Sequence, residues 1–207
     1  MKNRDTTASA VGGTAAILGG VTWLLLVPAA ELHRRDLLGY DGYNRLLAIP
    51  LLFFLVALLA APRSLTVTGR SVRAGLIAAT VGVGLLLAGN VAEFYGVLLQ
   101  DQPNAYAATQ AGETDHWVGS DIGWIAYAIG MLTLLVGGLT AAAGMQSHRV
   151  RPAWLIAFTA TLGVGVLTAN LFALQALLLS LPVLAIYAAG WIAFGLLTRR
   201  GGVSQSV

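Results

Sequence analysis

The sequence predicts an all-α integral membrane protein, a compact bundle of six transmembrane helices that forms a single domain over residues 1–207. Composition is the first reason: 57% of the residues are hydrophobic, 10% are charged and the mean hydropathy is +0.77, whereas soluble domains carry roughly 25% charged residues. The second reason is the length of the apolar runs. Several approach the roughly 20 residues that a helix needs to cross a bilayer, and none alternates as a barrel strand does.

Each predicted span is an apolar run bounded by charged residues, glycine or proline. The six spans cover residues about 8–30, 44–61, 74–99, 117–144, 153–179 and 182–198. Two alternatives reduce the count to five. The SLP stretch at Pro182 is either a helix boundary or a kink within one long helix. The first span, with its basic start and VPAAE at its end, is alternatively a cleaved secretory signal.

Residue types that the chain lacks exclude several functions. It has no cysteine, which excludes a disulfide, a thiolate metal site, an iron–sulfur cluster and a dithiol relay. Lys2 is the only lysine, so a retinal Schiff base within the bundle is excluded as well. Glycine patterns in the spans, such as Gly84 with Ala88 and Gly119 with Gly123, are typical of helix packing rather than of a nucleotide-binding loop.

Charged residues are distributed asymmetrically between the predicted loops. If the N-terminus is cytoplasmic, nine of the twelve Lys and Arg fall on the cytoplasmic side: Lys2, Arg4, Arg63, Arg70, Arg73, Arg149, Arg151, Arg199 and Arg200. Every acidic residue except Asp5 lies at or near the opposite face. The positive-inside rule therefore predicts six spans with both termini in the cytoplasm.

The same asymmetry indicates the location and the partners of the chain. Its net charge of +3 is concentrated at the inner surface, where it suits anionic lipid head groups, and no nucleic-acid site is predicted. The composition, rich in Ala, Gly, Leu and Arg, is typical of a prokaryotic inner-membrane protein. The expected partners are the lipid bilayer, a small ligand or cation on the outer side, and a second copy of the chain or another membrane protein.

The polar residues within the spans gather in one leaflet, around Glu93. This residue lies about 9 Å below the predicted outer surface, at 1.5 Å per helical residue, and shares a helix face with Asn90, three residues earlier. A carboxylate in hydrocarbon needs a partner, a water path, a proton or a function. We therefore expect an outward-facing polar pocket. Its other candidate residues are Glu31, His116, Asp121 and Asn170.

Three functions fit such a pocket. The preferred one is binding of a small ligand or cation, without catalysis, by a sensor, a carrier or an accessory subunit of a membrane complex. The alternative is a membrane-embedded enzyme that holds a divalent transition metal, because imidazoles and carboxylates are ligands of such ions. The metal ligands would be His116, Glu93, Asp121 and His33. The third is a structural subunit, in which Glu93 is only an interhelical tie.

Overall fold

The computed structural model describes residues 6–64, 69–95, 118–147 and 177–199. Within these ranges the chain forms helices and no strand. In chain order the helices are α1 Thr6–Leu24, α2 Leu26–Arg34, α3 Tyr40–Leu46, α4 Ala48–Ser64, α5 Arg70–Phe94, α6 Val118–Ser147 and α7 Leu177–Arg199. The prediction of an all-helical protein is confirmed for this part of the chain.

Four helical stretches in the described residues are long and apolar enough to cross a membrane. They are Thr6–His33, Gly42–Arg63, Arg70–Phe94 and Ile122–Met145, and α7 adds the shorter apolar stretch Ala185–Leu196. Along α6, large aliphatic side chains are exposed every three or four residues: Ile122, Ile125, Ile129, Leu132, Val136 and Leu139. Such a continuous apolar stripe suits a lipid environment rather than water.

Two of the predicted spans are divided by a break in the helix. One break is at Leu25, between α1 and α2, and the other is at Leu47, between α3 and α4. Each lies three residues before a proline, Pro28 or Pro50. Proline has no N–H to donate, and its ring collides with the carbonyl four residues earlier. Pro28 and Pro50 therefore account for the two breaks.

The end of the chain differs from the predicted span boundaries. The helix α7 begins at Leu177 and contains Pro182, so the boundary expected at that proline is not where the helix starts. The fifth predicted span, about 153–179, lies outside the described residues except for its last three positions. The count of six spans stays a prediction.

Glycine brings α5 and α6 into direct backbone contact. It recurs at every seventh residue of both helices: Gly75, Gly82 and Gly89 on α5, and Gly123, Gly130, Gly137 and Gly144 on α6. A Cβ atom added to Gly130 would lie 2.8 Å from the Gly82 oxygen, and one added to Gly89 would lie 2.6 Å from the Gly123 oxygen. At all of these glycines except Gly123, an added Cβ atom would lie within 2.8 Å of an atom of the other helix, so no larger residue fits there without a shift. We call this contact the glycine seam.

The helix α1 packs with two different faces. Its sequence contains Gly-Gly twice, as Gly12–Gly13 and Gly19–Gly20, and consecutive helical residues point about 100° apart. A Cβ atom on Gly19 would lie 2.5 Å from a ring carbon of Phe54 in α4, whereas one on Gly20 would lie 2.7 Å from a backbone oxygen of α7. The first glycine of each pair thus packs against α4, and the second packs against α7.

Aromatic side chains complete the contact between α1, α4 and α7. Trp23 is 1% exposed and Phe54 is fully buried. The ring of Phe54 stacks on Trp191 with the centroids 4.2 Å apart, and Tyr187 lies edge-on to Trp23 at 4.9 Å. These rings belong to the main hydrophobic core, which also includes residues of α5 and α6.

Neighbouring helices run antiparallel, so the bundle has two distinct ends. Gly12 faces Ala60 and Gly19 faces Phe54, so α1 and α4 run in opposite directions. The end that carries Arg63, Arg70 and Arg199 is named the basic end, and the end that carries Glu31 and Glu93 is named the acidic end. By the same contacts α6 ends at the basic end, and α7 begins at the acidic end.

Candidate functional site

Asn90 and Glu93 lie in the last turns of α5, at the acidic end. Because α5 ends at Phe94, Glu93 is one residue from the end of this helix, not the six residues expected from a span that ends near residue 99. Asn90 is 1% exposed, and Glu93 is partly buried. The face that they share continues through Leu86 and Gly82, and this face packs on α6, because a Cβ atom on Gly130 would lie 2.8 Å from the Leu86 nitrogen. The two predicted site residues are therefore held by the most closely packed pair of helices in the described structure.

The side-chain amide of Asn90 is oriented by α3. Its Nδ2 donates a hydrogen bond to the backbone oxygen of Asn44, at 2.9 Å. A carbonyl oxygen only accepts, so this bond fixes which amide atom is nitrogen and turns Oδ1 the other way. Oδ1 is buried, and among the described residues it has no hydrogen-bond partner. A buried amide oxygen of this kind favours a donor or a cation beside it.

Glu93 points toward α6. Its Oε2 atom is shielded from solvent, and a Cβ atom added to Gly123 would lie 3.2 Å from it. The absence of a side chain at Gly123 therefore makes the space that this carboxylate oxygen uses. One glycine of the seam thus has a second role, since it lets an acidic side chain enter the interface between two helices.

Arg45 brings a positive charge to the same end of α5, which the sequence analysis did not anticipate. Its Nε donates to the Phe94 oxygen at 2.5 Å, and its guanidinium carbon lies 5.7 Å from the centre of the Tyr95 ring. In return, the Tyr95 hydroxyl donates to the Arg45 oxygen at 2.8 Å. A cation at the carboxyl end of a helix is favoured by the unpaired carbonyls there. No spacing rule links positions that are 49 residues apart.

Glu31 and His33, two further predicted site residues, lie on α2. Glu31 accepts a hydrogen bond from Nε of Arg35, at 2.6 Å, in an ion pair one helical turn apart. Nδ1 of His33 donates to the Leu38 oxygen at 2.9 Å, and its ring stacks on Tyr43 with the centroids 5.7 Å apart. Both side chains thus have contacts within α2, α3 and the turn that joins them.

The structure does not describe the side chains of the remaining candidates. His116 and Asn170 lie outside the described residues, and Asp121 lies in the first turn of α6 with only its backbone described. Among the residues that the structure describes, no group of three or more His, Asp or Glu side chains has the arrangement of a metal site. The metal site predicted from His116, Glu93, Asp121 and His33 stays a prediction.

Comparisons with protein-family models, with curated proteins and with solved structures found no match to this chain.

The acidic end thus combines two kinds of oxygen ligand on one helix face. Asn90 supplies a buried amide oxygen, and Glu93 supplies a carboxylate that is partly withdrawn from solvent. Residues three apart on a helix have their Cβ atoms about 5–6 Å apart, so the two side chains can reach one small ion. The guanidinium of Arg45 contacts the end of α5 through the Phe94 oxygen and the Tyr95 ring.

Proposed function

We propose that this protein binds a small cation at the acidic end of a membrane-spanning helix bundle, beside Asn90 and Glu93, without catalysing a reaction. The observation that carries the proposal is the buried Oδ1 of Asn90, for which the described residues provide no donor. The binding step is common to a sensor, a carrier and an accessory subunit of a membrane complex, and the proposal covers all three.

The ligand types favour a hard cation. Amide and carboxylate oxygens are ligands of ions such as Ca²⁺ and Na⁺, whereas zinc and other transition metals favour imidazole and thiolate. A cation bound beside Asn90 would give its Oδ1 atom an electrostatic partner, and the carboxylate of Glu93 would attract a cation to the same helix face.

The proposed topology has six spans in a prokaryotic cytoplasmic membrane, with both termini in the cytoplasm. Two observations support it. Four of the seven described arginines, Arg63, Arg70, Arg73 and Arg199, share one end of the bundle, as the positive-inside rule requires of a cytoplasmic face. The other three, Arg34, Arg35 and Arg45, lie at the acidic end. The end of α6 and the start of α7 lie at opposite ends, so a chain that joins them crosses the bilayer once more. We assign that crossing to the predicted fifth span.

Thermal unfolding of the purified protein in detergent tests the binding proposal. The melting temperature is measured during titration with NaCl, KCl, CaCl₂ or ZnCl₂ against a background of choline chloride that keeps the ionic strength constant. A ligand that binds only the folded state stabilises it by about 2.7 kcal/mol at 100 times its dissociation constant. We expect Na⁺ or Ca²⁺ to raise the melting temperature with a saturable dependence on concentration.

Two variants at the site and one matched control complete the experiment. Glu93→Gln and Asn90→Leu are expected to abolish the cation-dependent rise. Glu31→Gln is the control, because Glu31 is an acidic residue at the same end whose carboxylate is paired with Arg35 on α2; it is expected to keep the rise. The proposal fails if no cation stabilises the wild-type protein. A rise produced by Zn²⁺ alone would favour the metal-dependent enzyme instead.

A further inference from the structure

The segment formed by α2, α3 and their connecting turn, residues 26–46, lies between two weak points of the backbone. We call it the hairpin. Pro28 deprives the Leu24 oxygen of its helical donor, and Pro50 does the same to the Leu46 oxygen. Sharp helix kinks occur at such positions. Leu25 and Leu47 keep helical backbone angles, but each end of the hairpin has one helical hydrogen bond fewer to resist bending.

The two breaks lie at the same level of the bundle. Gly19 of α1 faces Phe54 of α4 in an antiparallel pair. Leu25 lies six residues after Gly19, or about 9 Å at 1.5 Å per residue. Counting back six residues from Phe54 reaches Ala48, the first residue of α4, so Leu25 and Leu47 lie at about the same height in the bundle. Two hinges at one level define an axis across the bundle, about which the hairpin can rotate as a unit.

The hairpin also has its own hydrophobic core. Ala29, Ala30 and Tyr43 form a buried cluster, separate from the main core, and Leu38 packs against it. Leu26 and Val27, next to the break at Leu25, pack in the main core instead. His33 reinforces this unit by its hydrogen bond to the Leu38 oxygen and its stacking on Tyr43. A segment with a separate core keeps its internal contacts when it moves relative to the rest of the molecule.

Among the described residues, hydrogen bonds fasten the last turn of α3 to the carboxyl-terminal end of α5. Asn90 donates to the Asn44 oxygen, Arg45 donates to the Phe94 oxygen, and Tyr95 donates to the Arg45 oxygen. We call the Arg45 and Tyr95 bonds the latch. The third bond comes from Asn90 itself, so the position of the hairpin determines whether the amide of Asn90 is held in place.

We propose that the hairpin is a hinged cap, which opens at Leu25 and Leu47 and is held closed over Asn90 by the latch of Arg45 and Tyr95. The proposal rests on the proposed function in one respect, since it makes the cap the regulator of access to the cation site. Asn90 is 1% exposed, so an ion reaches its Oδ1 atom only when a neighbouring segment moves. The hairpin is a described neighbour that has hinges at both ends.

Distances between pairs of spin labels test the cap directly. The sequence has no cysteine, so introduced cysteines label uniquely. The cap pair is Leu37→Cys with Leu132→Cys, two side chains that are 73% and 62% exposed. The reference pair is Ile77→Cys with Ile122→Cys, which lies on α5 and α6, joined by the glycine seam. Double electron–electron resonance in lipid vesicles, in choline chloride, gives the distance distribution for each pair.

Release of the latch is expected to change only the cap pair. In the Tyr95→Phe and Arg45→Gln double variant, we expect a second distance for the cap pair, with a several-fold larger population than in the wild type. The reference pair should keep its wild-type distribution. Adding Pro28→Ala and Pro50→Ala restores two helical donors, and we expect these changes to remove the second distance.

Two outcomes would overturn the cap. In the first, the cap pair keeps its single wild-type distance in the latch variant. In the second, the distance of the reference pair changes together with that of the cap pair, which would mean that the whole bundle loosens. These measurements need no cation, so they are independent of the binding proposal. A fixed hairpin in a protein that Na⁺ or Ca²⁺ stabilises overturns only the cap. A moving hairpin in a protein that no cation stabilises overturns only the binding function.

Discussion

Asn90 uses the two ends of one amide group for two different purposes. Its Nδ2 ties α5 to the Asn44 oxygen, and its Oδ1 is directed away from that bond within a buried environment. Replacement of either end therefore has a separate consequence. An aliphatic side chain of similar volume removes both, whereas a carboxylate keeps an oxygen at each end.

Substitutions at Asn90 separate these two effects. Asn90→Leu loses one hydrogen bond and buries no unpaired polar group, for an expected loss of about 1 kcal/mol. Asn90→Asp places a carboxylate oxygen against the Asn44 oxygen, so two acceptors face each other, and we expect about 2–3 kcal/mol of destabilisation. Reversible unfolding in SDS measures both. Equal stability of the two variants would contradict the assigned orientation of the amide.

At this scale, the sequence predicts only what local spacing determines. Glu31 and Arg35 are four apart, so their ion pair follows from helical periodicity. The polarity of the face that holds Asn90 and Glu93 was also predictable. The partner of Asn90, in contrast, is a backbone oxygen 46 residues away, and no pattern in the side chains marks it. The contact of Arg45 with α5 was not predicted for the same reason, because Arg45 binds a backbone oxygen.

Among the helices, the glycine seam is the most demanding contact. A Cβ atom at Gly82 would collide with the backbone nitrogen of Leu134, which cannot move independently of α6. Gly84, two residues away, has no described atom within 4 Å of such a Cβ, so no described helix packs at Gly84, although the sequence pattern of Gly84 and Ala88 predicts helix packing there. The two positions lie on one helix in the same part of the chain, so they form a matched pair for substitution.

Alanine at these two glycines is expected to act in opposite directions. Gly82→Ala should destabilise the protein by about 1–3 kcal/mol, because the helices must separate to admit a methyl group. Gly84→Ala should be neutral or should stabilise by up to about 1 kcal/mol, through the higher helix propensity of alanine. Thermal unfolding of both variants in detergent gives the comparison. A loss of stability at Gly84 that equals the loss at Gly82 would contradict the seam.

The elements themselves were more predictable than their contacts. Length and apolarity were sufficient to find helices over the first four predicted spans. The breaks at Leu25 and Leu47 follow from Pro28 and Pro50 but were not predicted, since proline also occurs within uninterrupted membrane helices when neighbouring groups compensate. The seven-residue period of glycine is visible in the sequence. The sequence does not show which two helices share the seam, because any glycine-rich face can pack against any other.

For the molecule as a whole, the proposed orientation predicts which positions are reached from outside the cell. Leu37→Cys, at the acidic end, should react with a membrane-impermeant maleimide in intact cells. Arg70→Cys, at the basic end, should react only after permeabilisation. Reporter fusions at both termini should show a cytoplasmic location. The reverse labelling pattern would invert the proposed orientation, and termini on opposite sides would require an odd number of spans.

The number of residues in α5 and α6 follows from the glycine seam. One inserted or deleted residue in either helix would turn all later glycines by about 100° away from the partner. Only a change of seven residues keeps them aligned, and that change alters the helix length by about 10 Å, a third of the roughly 30 Å hydrocarbon core. Evolution therefore has little freedom to lengthen or shorten this pair of helices.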